Sequence, residues 1–115
     1  MYKASTRADL ETALKNKENK IIVSDKKIVK TLQPIHNVVI GTSNRNRCKY
    51  MLEKSYDGSA FLGSFGFAPL VSEIAKVSFF SAMGIISSVG LHQILIIFSD
   101  YNIKFKNNEI LLNRI

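Results

Sequence analysis

The sequence predicts an α+β domain: a small strand-and-helix platform carrying a hydrophobic helical hairpin. Three observations predict it. Short β-branched runs alternate with short amphipathic runs before residue 58, residues 59–99 hold Glu73 and Lys76 as their only charges, and residues 101–106 alternate apolar and polar with period two. With 115 residues, 46% hydrophobic and 22% charged, the chain reads as one globular unit rather than a disordered one. A single Cys excludes a disulfide framework and a cysteine-built zinc site within one chain. The first apolar run comes too late for a signal peptide, so none is expected.

The head, residues 1–58, is basic and carries most of the 16 Lys and Arg behind the net charge of +7. Thr6 and Asp9 have the spacing of a capping box, with Asp in place of the usual Glu, ahead of a short helix bearing Ala8, Leu10, Ala13 and Leu14. Ile21-Ile22-Val23 predicts a strand. Ser24 or Asp25 caps a second short helix with Ile28, Val29 and Leu32, which Pro34 ends. Asn37 to Ile40 is a second β-branched run, residues 41–44 read as a loop, and residues 45–56 as a basic helix. In residues 100–115, Tyr101, Ile103 and Phe105 face one way while Asn102, Lys104 and Lys106 face the other. Asn107-Asn108 is turn chemistry, so a C-terminal β-hairpin forms one compact unit with the head.

The middle, residues 59–99, decides between solvents. Spanning a hydrocarbon core takes about 20 apolar residues in a helix. The charge-free run Val77 to Ser99 meets that length; Ser59 to Val71, interrupted by Pro69, does not. Joined through residues 72–76, the two runs predict a hairpin whose first arm is short or re-entrant. At about 100° per residue, Ser81, Gly84, Ser88 and His92 fall on one stripe of a helix. Ala60, Gly63, Ser64, Gly66 and Ala68 supply small residues in the first arm. Small-residue stripes let helices approach closely where lipid offers no hydrophobic drive, although any Ser/Gly-rich apolar segment shows some four-residue spacing.

Candidate chemistry is sparse. His92, with Gln93 beside it, is an ionisable group in an apolar run, which raises the hypothesis of a pore lining or pH sensor. The simpler reading, a hydrogen-bonded His92 that never titrates, weighs more because no acid accompanies it. His36 reads as a solvated loop residue. Cys48 sits between Arg47 and Lys49, cations that lower a thiol pKa, but with no catalytic pattern around it an inert surface thiol is the simpler expectation. Arg45, Arg47, Lys49 and Lys54 form a basic patch suited to lipid headgroups, since it directly precedes the apolar segment, or to nucleic acid, with Tyr50 for stacking. A plain solvated helix face is the third option. No phosphate-loop, nucleophile-elbow or zinc-helix motif occurs, so no enzyme, cofactor or metal is expected.

Residues 9–14 (DLETAL), then Lys20-Ile21-Ile22-Val23, the glycine-containing apolar segment and Tyr101 to Phe105 together resemble small uncharacterised bacterial proteins. In those, a helix–strand head and a C-terminal strand bracket a glycine-rich hydrophobic hairpin. The resemblance covers most of the chain apart from residues 35–58 and implies architecture and a bacterial or phage origin, with no activity attached.

The expectation is a small membrane-inserting, self-associating protein, acting as a pore-forming toxin, a defence effector or a scaffold. Its partners are the lipid bilayer and copies of itself, and both termini stay cytoplasmic. Two alternatives stand beside it: a soluble, cytoplasmic oligomeric module with a buried hydrophobic helix, and a basic nucleic-acid-binding protein.

Overall fold

A computed structural model describes residues 1–55 and 63–115. A helical layer packs on one face of a four-stranded mixed sheet, which fits the α+β class. Chain order is β1 (Tyr2–Ala4), α1 (Arg7–Lys15), β2 (Lys20–Val23), α2 (Lys26–Leu32) and a 3₁₀ turn (Gln33–Ile35). Then come α3 (Thr42–Ser55), α4 (Gly63–Ala75), α5 (Phe79–Val89), α6 (Leu91–Asp100), β3 (Tyr101–Lys106) and β4 (Glu109–Arg114).

The spatial order is β1-β2-β4-β3, with β1 and β2 parallel and the other neighbours antiparallel. The parallel pair is closed by α1, and its local chemistry explains where α1 begins. Thr6 Oγ1 accepts from Asp9 N at 3.1 Å, and the Asp9 carboxylate accepts from both Ser5 N and Ser5 Oγ at 3.1 Å. Those two bonds from Ser5, foremost, hold the Asp9 carboxyl below its usual range. Leu10, Ala13 and Leu14 face the sheet side and are buried. Asp25 caps α2 by accepting from Ile28 N at 3.0 Å, and Pro34 falls in the 3₁₀ turn that follows.

Register fixes which side of the sheet is covered. Ala4, Ile21, Val23, Ile110, Leu112, Tyr101 and Ile103 are buried on one face. Lys3, Lys20, Ile22, Leu111, Asn113, Asn102, Lys104, Lys106 and Glu109 occupy the other, and none of them is buried. The β3–β4 turn places Asn107 and Asn108 at φ 54° and 60°, the left-handed pair that a two-residue hairpin of matching twist requires.

Three sequence expectations are corrected. Asn37 to Ile40 forms no strand: after the 3₁₀ turn it runs as a connector that buries Ile40 and leaves Val39 87% exposed. Thr42 to Asn44 are the first turn of α3 and not a loop. The largest change is in the apolar middle, whose described part is three helices rather than a two-armed hairpin: α6 packs on β3, while α4 and α5 pack on each other and on α6, with α5 also against α2.

Residues 77–98 do not form one helix. Gly90 has φ 101° and ψ 139°, outside the helical region, and ends α5 while opening α6. A Cβ at this position would run into Gln93 Oε1 and lie 2.8 Å from Arg7 Nη2. Between α4 and α5, Lys76 at φ 57° and the Ser78 cap turn the chain, so Phe67–Ala75 and Phe79–Val89 meet at 103°. Among the described residues no single helix is long and apolar enough to cross a membrane; this bent pair reaches the required length and composition only together.

Helix α6 occupies the centre. Ile94, Leu95, Ile97, Phe98 and Ser99 are buried, and α6 packs against α1, α3, α5 and β3. Short surrounding elements of the same chain cover it.

Candidate functional site

The break at Gly90 divides the expected helix-contact stripe. Ser81, Gly84 and Ser88 lie on α5 and line a groove of about 320 Å³ with Lys30, Thr31 and Pro34. His92 lies on α6, in a different cleft. Of the first-arm residues, Ala68 is buried in the core, Gly63, Ser64 and Gly66 fall in the first turn of α4, and Ala60 lies outside the described residues. Ser81 and Gly84 are exposed and Ser88 is half-buried, and beyond the helix's own backbone no atom lies within 4 Å of where a Cβ on Gly84 would stand.

The surface of α5 is unusual in its chemistry. A surface helix ordinarily turns a charged face to water. Here the exposed positions are Phe80, Ser81, Gly84 and Ser87, with Met83 and Ser88 half-buried at their edges. Phe80 is 84% exposed and meets Phe79 edge-on at 5.9 Å between ring centroids. Among the described residues, charge appears at the border: Lys76 in the preceding turn, Lys30 in the groove and Arg7, whose Nη1 donates to Ser87 O at 3.0 Å.

The basic patch disperses along α3. Arg45 is spent on the fold: its Nε donates to Ile40 O at 3.2 Å, Nη1 to Phe98 O and Tyr101 O at 3.1 Å, and Nη2 to Asn102 Oδ1 at 3.0 Å. It thereby caps the C-terminus of α6, where orphan carbonyls favour a cation. Burial lowers its pKa, while the Asp100 charge opposes that. Arg47 pairs with Glu73 at 3.1 Å, tying α3 to α4, and Lys49 stands 3.8 Å from Asp100. The backbone of Lys54 lies in the last turn of α3. Arg45, Arg47 and Lys49 thus make contacts within the chain.

Two further expectations change. Cys48 is fully buried rather than a surface thiol, and burial outweighs Arg47 and Arg45 to push it up to about 11, an inert group. His36 is not a simply solvated residue. Its Nδ1 and Nε2 hydrogen-bond Gln33 O and Asn37 Nδ2 at 2.6 and 2.9 Å, and its ring lies 6.0 Å from Phe105.

A cleft of about 410 Å³ lies between α1, α3 and α6. Leu14, Leu52 and Ile96 give it an apolar lining, and Glu11, Lys15, Lys17, His92 and Asp100 mix both charge signs around it. Gln93, which also lines it, is 7% exposed. No nucleophile–base pair is assembled there, and among the described residues no cluster of three His, Cys, Asp or Glu converges as a metal site. What the surfaces offer is contact. No family model, curated protein or solved structure matches the chain.

Proposed function

We propose that the chain associates with membranes, and with further copies of itself, through α5 and the α4–α5 turn. The observation that carries the reading is the solvent-facing side of α5, which presents a phenyl ring, hydroxyls and Gly84 with no charge among them. Such a face gains more from lipid or from a close-packed helix than from water. Burying Phe80 is worth about 1.5–3 kcal/mol, and Lys30 and Lys76 at its edge are each worth about 1 kcal/mol against anionic headgroups. Those sums describe reversible surface binding. Deeper insertion, and the permeabilisation of a pore-forming toxin or defence effector, requires the bent α4–α5 pair to leave α2 and α6 and straighten.

Vesicle co-sedimentation with anionic and neutral phospholipid tests this. The protein should pellet with anionic vesicles, Phe80→Asp should lose the association, and Gly84→Leu should keep it while losing crosslinked oligomers. A protein that stays monomeric in the supernatant beside anionic vesicles overturns the proposal. A second reading draws on the central position of α6: an apolar helix covered by its own chain needs no bilayer, which suits a soluble module whose α5 face docks another copy. A dimer that forms without lipid and is disrupted by Gly84→Leu would favour it.

A further inference from the structure

The uncovered sheet face has a composition that the helical side does not explain. Lys3, Ile22, Leu111 and Lys104 are directly paired across all four strands, so one row runs lysine, two aliphatic residues, lysine. The next row contains Lys20, Asn113 and Asn102, and at the hairpin end Lys106 faces Glu109. Lys3, Lys20, Lys104 and Lys106 are all exposed, and among the described residues none of them makes an ion pair. Among the described strand residues, Glu109 is the only acid on the face.

We propose that this face is a docking surface for the phosphate backbone of a duplex nucleic acid, contacted by Lys3, Lys20, Lys104 and Lys106. The argument is charge complementarity with a defined spacing. Neighbouring strands lie about 4.8 Å apart, which puts the backbones of Lys3 and Lys104 about 14 Å from each other. That separation is close to the about 12 Å between the two phosphate strands across a major groove. Lysines at the two edges can engage both strands while Ile22 and Leu111 between them stay half-buried and read no base. No aromatic side chain lies on the face, so stacking on single strands is unsupported, and the binding is electrostatic and indifferent to sequence. The same lack of aromatic anchors disfavours a bilayer here, and the surface proposed for lipid lies in the helical layer on the other side of the sheet.

Four phosphate contacts predict that log K falls against log salt with a slope of about −3.6, a loss of roughly 150-fold between 50 and 200 mM salt. Fluorescence anisotropy with a mixed-sequence 20-base-pair DNA duplex measures it. The double variant Lys3→Gln, Lys104→Gln should halve the slope to about −1.8, so that the same salt change loses roughly 12-fold. Lys26→Gln with Lys27→Gln, two exposed lysines of α2, should leave the slope as it was. All four substitutions are at exposed positions, and far-UV circular dichroism confirms the folded state. Equal slopes for the two double variants overturn the proposal, as does absence of duplex binding at 50 mM salt. Anionic vesicles that bind through the same lysines while the duplex does not would also overturn it and assign the face to lipid.

Discussion

Tyr101 and Glu18 are joined by a 2.6 Å hydrogen bond in which the buried phenol donates to the backbone carbonyl. The bond ties the first residue of β3 to the segment between α1 and β2, 83 positions earlier in the chain. It stands at the seam where helix α6 becomes a strand without a loop, so its loss should be felt by both layers.

Tyr101→Phe should destabilise the fold by about 1–3 kcal/mol, because it leaves a partly buried carbonyl unpaired while keeping the ring. Burial, foremost, pushes the Tyr101 phenol above its ordinary range. The phenol is protonated in both folded and unfolded chains at neutral pH. As pH rises past the unfolded value of about 10, the unfolded chain ionises first and stability falls. Urea titrations at pH 7 and above pH 10 should show that decline reduced in Tyr101→Phe. An equally steep decline in the variant would contradict this assignment.

Cys48 should act in the same direction over a lower window. Its thiol is pushed up to about 11, so stability is full below the ordinary thiol range and falls as pH rises from about 9 towards 11. The full effect is on the order of 3 kcal/mol. Cys48→Ala should remove that part of the alkaline decline. A thiol reagent should label native Cys48 only as fast as the protein opens; labelling at the rate of a free thiol at pH 8 would show the site to be open.

Gly90 and Gly84 should respond oppositely to the same substitution. Gly90→Ala places a Cβ against Gln93 and Arg7 at φ 101° and should destabilise by about 1–3 kcal/mol. Gly84→Ala meets nothing within 4 Å on a helix and should stabilise by about 0.5–1 kcal/mol. Thermal melts of the two variants, shifted down and up respectively, check the pair.

Arg45→Met should be costly for a residue that looks like one surface cation among many. It removes the donor shared by Phe98 O and Tyr101 O and should lower stability by about 1.5–3 kcal/mol. Arg47→Met, which loses an exposed pair with Glu73, should lower it by less than about 1 kcal/mol. Denaturant midpoints compare the two directly.

How legible the molecule was depended on whether its signals were local. Thr6 and Asp9 announce α1, and alternation with Asn107-Asn108 announces the β3–β4 hairpin, because caps and two-residue turns are written in adjacent residues. Tyr2–Ala4 carries no such sign. It is three residues long, buries only Ala4 and becomes a strand because β2 pairs with it from beyond α1. The apolar run 77–98 is ambiguous in principle: a membrane span and a wholly buried core helix have the same composition, and Gly90 reads equally as a packing residue or a break. The stripe Ser81, Gly84, Ser88, His92 is accordingly divided between α5 and α6. The lysines of the open sheet face were half visible, Lys104 and Lys106 by period two, while Lys3 and Lys20 join them only through strand order.

Strand β4 lies between β2 and β3 yet follows every other element in the chain. On a translating ribosome the helices emerge before the strand that bridges the two halves of the platform. At about 5–20 residues per second, residues 100–115 take on the order of one to three seconds to be added after α6. The charge-free stretch is thus synthesised before the sheet is complete. Until that strand arrives, β2 and β3 have no partner between them, so the sheet closes only when the last residues of β4 are free to pair.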